Sequence, residues 1–183
     1  KEIADPASSS EEVYIGLEHI ESSSFLCSGH GHPSEVRSAK NTFYHGDILF
    51  GKLRPYLDKA VIAKSKGICS TDILVFTPKE GCKSEFLVCV LHTAELLAYA
   101  IKTTSGVNHP RTSWNALKSF RFGLPQKHER DDIAQIMTTL ETKILNARRK
   151  RILLEDLFRT LLHQLMTAEI RVNNLDMPEL ETK

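Results

Sequence analysis

The sequence lacks the marks of several protein classes. No stretch of about 18 consecutive apolar residues occurs, the length at which a helix can cross a bilayer. Lys1 to Glu12 is charged and Ser-rich, without the apolar run of a secretion signal. The four cysteines (Cys27, Cys69, Cys82, Cys89) form no C-x-x-C pair, so the expectation is reduced thiols in a cytoplasmic protein. Cys27, His30 and His32 make a C-x-x-H-x-H cluster, but the second ligand pair of a tetrahedral zinc site is missing. A polar Gly/His/Ser loop is expected there, with no metal.

Catalytic fingerprints are equally scarce. Gly46, Gly51 and Lys52 have P-loop spacing, yet Leu53 stands where the magnesium-binding hydroxyl belongs. Ile48-Leu49-Phe50 between the glycines reads as a buried strand, not an open phosphate cradle. There is no G-x-S-x-G, H-E-x-x-H or G-x-G-x-x-G. Nor is there an Asn/Asp-Pro-Pro-aromatic run, with which amino-methyltransferases act on a flipped base. The expectation is a chain with no catalytic residue. An enzyme working through His109 and a nearby carboxylate is the catalytic alternative.

Neither sign of charge is in excess, with 24 Lys+Arg against 23 Asp+Glu in 183 residues. The balance conceals a division. Residues 1–45 hold 3 basic and 7 acidic groups, residues 46–125 hold 11 and 6, and residues 126–183 hold 10 of each. A basic middle suits an acidic partner such as nucleic acid, although ordinary scatter gives the same numbers.

What is present divides in two. Residues 1–125 read as a mixed α/β domain. Strands are expected at Val13–Leu17, Ile48–Phe50, Lys59–Ala63, Thr71–Thr77 and Ser119–Leu124, and one helix over Phe86–Ile101. Residues 126–172 read as a long helix beginning near Asp131, and 173–183 as a polar tail. The apolar stripe of this helix (Ile133, Ile136, Leu140, Ile144, Ala147, Leu154, Phe158, Leu161, Leu165) advances mostly by threes and fours, the coiled-coil pattern. A helix from 131 to about 168 would be about 57 Å long. A domain of this size, about 15 Å in radius, cannot cover it, so a partner helix is required. A helical hairpin folded on itself is the alternative. Arg148 to Arg151 form a basic band near the middle of the stripe, suited to solvent, to a phosphate backbone or to acids of a partner helix.

Two segments carry candidate chemistry. Gly46 to Ala60 (GDILFGKLRPYLDKA) runs a buried strand into a stiff loop bearing Lys52, Arg54, Tyr56 and Lys59. Fixed cations suit phosphates, and a fixed arginine suits guanine edges. Lys64 and Lys66 extend the basic stretch. Thr103 to Trp114 (TTSGVNHPRTSW) gathers Ser105, Asn108, His109 and Arg111 into one loop. Asn suits adenine and Arg suits guanine in the major groove. The alternative is a capped loop whose polar side chains satisfy its own backbone.

These segments stand in the order of a known family. Tyr14 to Glu18 (YIGLE), Gly46 to Phe50 (GDILF), Lys52 to Tyr56 (KLRPY) with Lys59, the Ser105-Gly106…His109 loop, Phe122 to Pro125 (FGLP) before Ile133-Ala134, and Leu161 to Thr167 (LLHQLMT) with Ile170 to Val172 resemble the specificity (S) subunit of type I restriction–modification enzymes. The likeness covers about residues 13–172. Glu129-Arg130 departs from the family's Glu-Gln pair before the helix.

The resemblance implies an α+β target recognition domain followed by a long helix that forms an antiparallel coiled coil. It implies a non-catalytic subunit reading one half of a bipartite double-stranded DNA target in the major groove. Lys52, Arg54, Lys59 and Arg111 would contact DNA, with Tyr56, Ser105, Asn108 and His109 reading or positioning. Methyltransferase (M) and restriction (R) subunits would be the partners, binding S-adenosylmethionine and ATP, so this chain needs no cofactor. A full subunit has two domains and two helices. This sequence holds one of each, a half-subunit or a fragment, which implies a homodimer or a second half-subunit through the helix. The competing expectation is a coiled-coil adaptor with a protein-binding α/β domain.

Overall fold

The computed structural model describes residues 3–4 and 13–171; most of the Ser-rich stretch, Val172 and the tail 173–183 lie outside these. Along the chain come β1 (Ile3–Ala4), β2 (Tyr14–Ile15), β3 (Lys40–Phe43), β4 (Ile48–Gly51), β5 (Ala60–Ile62), β6 (Gly67–Cys69), β7 (Ile73–Phe76), α1 (Ser84–Leu91), α2 (Ala94–Lys102), α3 (Trp114–Leu117) and α4 (Lys127–Met166). One sheet has the order β1-β3-β6-β2, in which only β2 and β6 run parallel. The other is antiparallel, with β4 between β5 and β7. This is the expected α+β class.

Side-chain alternation sorts the core into two sides. Ile48 and Phe50 of β4, with Ala60 of β5, join Phe86, Val88, Val90, Leu91, Leu96 and Ala100 of the helices. Leu49 of the same strand, with Val61 and Ile73, joins Ile15, Phe43 and Cys69 of the other sheet. All four residues of β4 are therefore buried. That double burial is why the segment reads as a continuous apolar run and not as an alternating one.

Several expectations are corrected. The single helix over Phe86–Ile101 is two helices bent by 58°. Thr93 breaks it, with extended backbone and a hydroxyl that accepts from the Leu96 N–H as the N-cap of α2. The Val13–Leu17 strand is confined to Tyr14–Ile15, because a 3-10 turn starts at Leu17. Ser119–Leu124 is irregular: Phe120 and Phe122 stack at 6.2 Å, and Arg121 donates back to the Lys118 and Phe120 carbonyls. The short strands β1, β3 and β6 were not expected. The long helix starts at Lys127, one turn before Asp131, and Glu129 accepts from the Gln126 N–H at 2.8 Å.

The molecule has two compact units, residues 1–141 and 142–183. Within the first, the opening turns of α4 belong to the core. Ala134 and Met137 are buried, and Ile133 packs on the helical side of the sheet. Arg130 donates to the Gly81 carbonyl, and Asp131 pairs with Lys83 and Lys127 at 3.1 and 2.8 Å. In the second unit the helix exposes Ile144, Leu145, Ile152, Leu153, Leu154, Leu157, Phe158, Leu162 and Met166.

Candidate nucleic-acid interface

The first candidate loop leaves β4 at Gly51, whose N–H donates to the Lys59 carbonyl at 2.8 Å. A Cβ there would meet the Leu17 side chain at 3.0 Å and Lys59 Cβ at 3.3 Å, so a larger residue would push these neighbours apart by a few tenths of an ångström. Inside the closure, Pro55–Leu57 form one 3-10 turn. Arg54 and Asp58 on either side are left-handed, with φ of 51° and 50°. Such conformations cost about 1–3 kcal/mol each and persist only where surrounding contacts enforce them. The contacts here are explicit. Asp58 meets His92 Nδ1 at 2.6 Å, His92 Nε2 reaches the Ala60 carbonyl at 2.9 Å, and the Asp58 carbonyl accepts from the Ser23 N–H at 2.8 Å. The turn is held from below and presents Arg54 and Tyr56, the latter 55 % exposed.

The second loop joins α2 to α3. Ser105 and Arg111 exchange both backbone hydrogen bonds at 2.9 Å, which makes residues 106–110 a closed tip. Gly106 supplies the positive φ of 91° at its turn. Val107 at the tip is almost fully exposed, and Asn108 and His109 are exposed beside it. Thr112 is buried, and Ser113 caps α3 by accepting from the Ala116 N–H.

The two loops are joined through their backbones. The Arg54 N–H donates to the Pro110 carbonyl at 2.8 Å, and the Thr112 N–H donates to the Lys52 carbonyl at 3.0 Å. The Lys52 N–H in turn donates to the Asp72 carbonyl at 2.9 Å. Segments 60 residues apart thus form one surface at the end of the β5-β4-β7 sheet. Trp114, 56 % exposed with its edge toward Phe76, adjoins it.

Side chains divide by what they touch. Lys52, Arg54, Tyr56, Ser105, Asn108 and His109 keep their polar groups at or near the surface. Lys59 turns inward and donates to the Leu17 carbonyl at 2.7 Å. Arg111 grips Asp72 with two hydrogen bonds, Nε at 2.7 Å and a terminal nitrogen at 3.2 Å, and also donates to the His109 carbonyl. That guanidinium holds the Asp72 carboxyl below the usual carboxylate range, with Lys52 adding to the effect. Lys64 pairs with Glu141 at 2.9 Å, and Lys66 lies over the Tyr44 ring. Asp72, Asp58 and His92, which fix the loops, carried no sequence signal, because each pairs across more than 30 positions. Cys27, His30 and His32 lie in a polar loop, where His32 caps the Pro33–Glu35 turn.

The sequence model of the type I restriction modification DNA specificity domain matches residues 13–155. The chain belongs to this family. The matched stretch of this specificity-domain protein contains both loops and most of α4. The chain is 29 % identical, over 175 residues, to the EcoDI specificity subunit of a type I restriction enzyme from Escherichia coli, covering 90 % of this chain and 39 % of that one. Two solved structures share the fold. A chain solved to explain complex assembly and conformational transition of the type I R-M system superposes with a TM-score of 0.64 at 20 % identity. The HsdS subunit from Thermoanaerobacter tengcongensis superposes at 0.62 and 23 %. In both, 97 % of this chain covers 48 % of the other. The chain spans about half the length, or less, of the relatives it matches.

Proposed function

We propose that this specificity-domain chain reads one half of a bipartite DNA target in the major groove and has no catalysis of its own. The observation that carries this reading is the backbone seam between the two loops. It turns two weak motifs into one rigid surface with Arg54, Tyr56, Asn108 and His109 outward. Phosphate contacts fall to Lys52 and Arg54, and base contacts to the 105–109 tip. Lys59 and Arg111 act by positioning: one closes the first loop on Leu17, the other clamps the second on Asp72.

The exposed apolar face of α4 supports the rest of the proposal. It pairs with the helix of a second half-subunit and docks methyltransferase subunits, which bring S-adenosylmethionine, while restriction subunits bring ATP. With a second copy, the two-fold axis would impose a palindromic bipartite target. The test is to map methylated adenines in cells that carry this chain with its methyltransferase subunit. A split, inverted-repeat motif is expected. Methylation that does not change when residues 105–109 are exchanged would overturn the reading.

A further inference from the structure

Val107 is the most exposed large apolar side chain among the described residues, with 98 % of its surface in water. A lone apolar residue on a surface is ordinary. This one stands at the tip of a loop that is tied down beneath it. Ser105 and Arg111 exchange hydrogen bonds at the base, and the Pro110 carbonyl accepts from the Arg54 N–H. The Arg111 guanidinium bonds both Asp72 and the His109 carbonyl. Gly106 turns with a φ of 91°, and a Cβ there would meet the His109 carbonyl oxygen at 3.1 Å. The residue after that turn therefore has a fixed place.

Turn tips favour Asn, Asp, Ser and Gly, through side chains that bond their own backbone or through freedom at positive φ. Valine offers neither. It has no polar side-chain atom, and its β-branch is stiff at χ1. The loop thus projects a rigid pair of methyl groups into water, beside the exposed polar groups of Asn108 and His109.

We propose that Val107 is a specificity residue that reads thymine, by packing against its C5-methyl group in the major groove. This rests on the reading above that the 105–109 tip contacts bases; what it adds is the base. Among the groups by which the four base pairs are told apart in the major groove, the thymine methyl is the apolar one, and the others donate or accept hydrogen bonds. Against guanine, adenine or the cytosine amino group, the valine methyls would displace water from a polar atom and return no bond. Against thymine both surfaces are apolar, and a stiff side chain loses little rotamer freedom on contact. Asn108, next in the chain, suits adenine N6 and N7, so the two neighbours together suit one T·A pair or two adjacent pairs.

The experiment uses the full chain with its methyltransferase subunits. Preferred duplexes are selected from a randomised pool, and each thymine of the half-site is replaced in turn by deoxyuridine, which lacks only the methyl. At one position the replacement should lower affinity by about three- to tenfold, the effect of one or two buried methyl groups. Val107→Ala should weaken binding of the thymine duplex by a similar factor, bind the thymine and deoxyuridine duplexes equally, and melt at the wild-type temperature. A half-site without thymine, or one in which no deoxyuridine matters, overturns the proposal, while the selected sequence itself upholds the recognition reading. So does a Val107→Ala variant that still distinguishes the two duplexes. Loss of DNA bending in Val107→Ala, without any methyl dependence, would make the residue a wedge between base steps. Loss of methyltransferase binding would make it a protein contact. Either result overturns the assignment to thymine. A pool that yields no preferred sequence removes the recognition reading and this proposal together, an outcome distinct from all of these.

Discussion

The backbone N–H of Arg54 lies 2.8 Å from the carbonyl oxygen of Pro110, and that hydrogen bond joins the two loops that carry the candidate DNA contacts. Neither loop has secondary structure strong enough to place it alone. Each is closed at its base, by Gly51 on Lys59 and by Ser105 on Arg111, and the closed ends are then tied together.

Arg54→Ala and Lys52→Ala are expected to weaken binding to every DNA sequence and to lower the slope of log affinity against log salt by about one each. Lys59→Ala should leave that slope unchanged and lower thermal stability instead, because its ammonium is committed to the Leu17 carbonyl. Filter binding at two salt concentrations checks this. An unchanged slope for Arg54→Ala removes Arg54 from the interface.

A true base reader behaves differently. Exchange of Asn108 or His109 should relax preference at one base position by about 1–3 kcal/mol while affinity for unrelated DNA stays constant. Selection from a randomised half-site measures it. Uniform loss at every base position would make these residues backbone contacts.

The clamp between Asp72 and Arg111 has a pH signature. Arg111 lowers the carboxyl's value in the folded state below that of the unfolded chain, which is about 3.9. Folding is therefore favoured by the clamp at pH above the unfolded value, and this advantage is lost as pH falls through the lower folded value. Melting temperatures of the wild type and of Asp72→Asn should differ at pH 6 and converge in strong acid. A gap of the same size at pH 3 contradicts this assignment.

His92 is the pin under the first loop, with each ring nitrogen facing an oxygen. His92→Phe removes the ring nitrogens that face the Asp58 carboxylate and the Ala60 carbonyl, at a cost of about 1–3 kcal/mol. The urea midpoint should fall with an unchanged m value. DNA affinity should fall further than stability alone explains, since Asp58 holds the left-handed end of the turn.

Truncation separates the roles of α4. A chain ending after Glu141 keeps Ala134 and Met137 in the core and should unfold cooperatively as a monomer. A chain ending before Lys127 loses both and also the Ile133 contact. Each large buried side chain removed costs about 2–5 kcal/mol, so this shorter chain should be molten or insoluble. Circular dichroism and sedimentation of the pair decide it.

The parts of the fold legible from sequence are those whose burial is continuous. β4, β5 and β7 stand out because both faces of their sheet are covered, and α4 because no Gly or Pro interrupts it and its apolar stripe recurs by threes and fours on either side of Arg151. β3 and β6 do not, since strands of three or four residues such as Lys40-Asn41-Thr42-Phe43 have too little pattern to separate from loop. The site was legible as two motifs but not as one surface. The bonds that unite them run between backbone groups, and Arg111 and Lys59 are bound to partners 39 and 42 residues away that composition does not reveal.

The seam between the loops is made of peptide groups, which every residue except proline supplies in full. Its strength is therefore indifferent to the side chains at 54, 56 and 107–109. If the surface reads bases as proposed, positions 56 and 107–109 are the ones open to exchange. Residue 54 must keep its N–H and a left-handed backbone, and Gly51, Gly106 and the Asp72–Arg111 grip stay untouched. The backbone seam separates a frame that must stay the same from outward positions that can vary, so on the proposed reading a new target calls for substitution at a few exposed residues with no refolding of the frame.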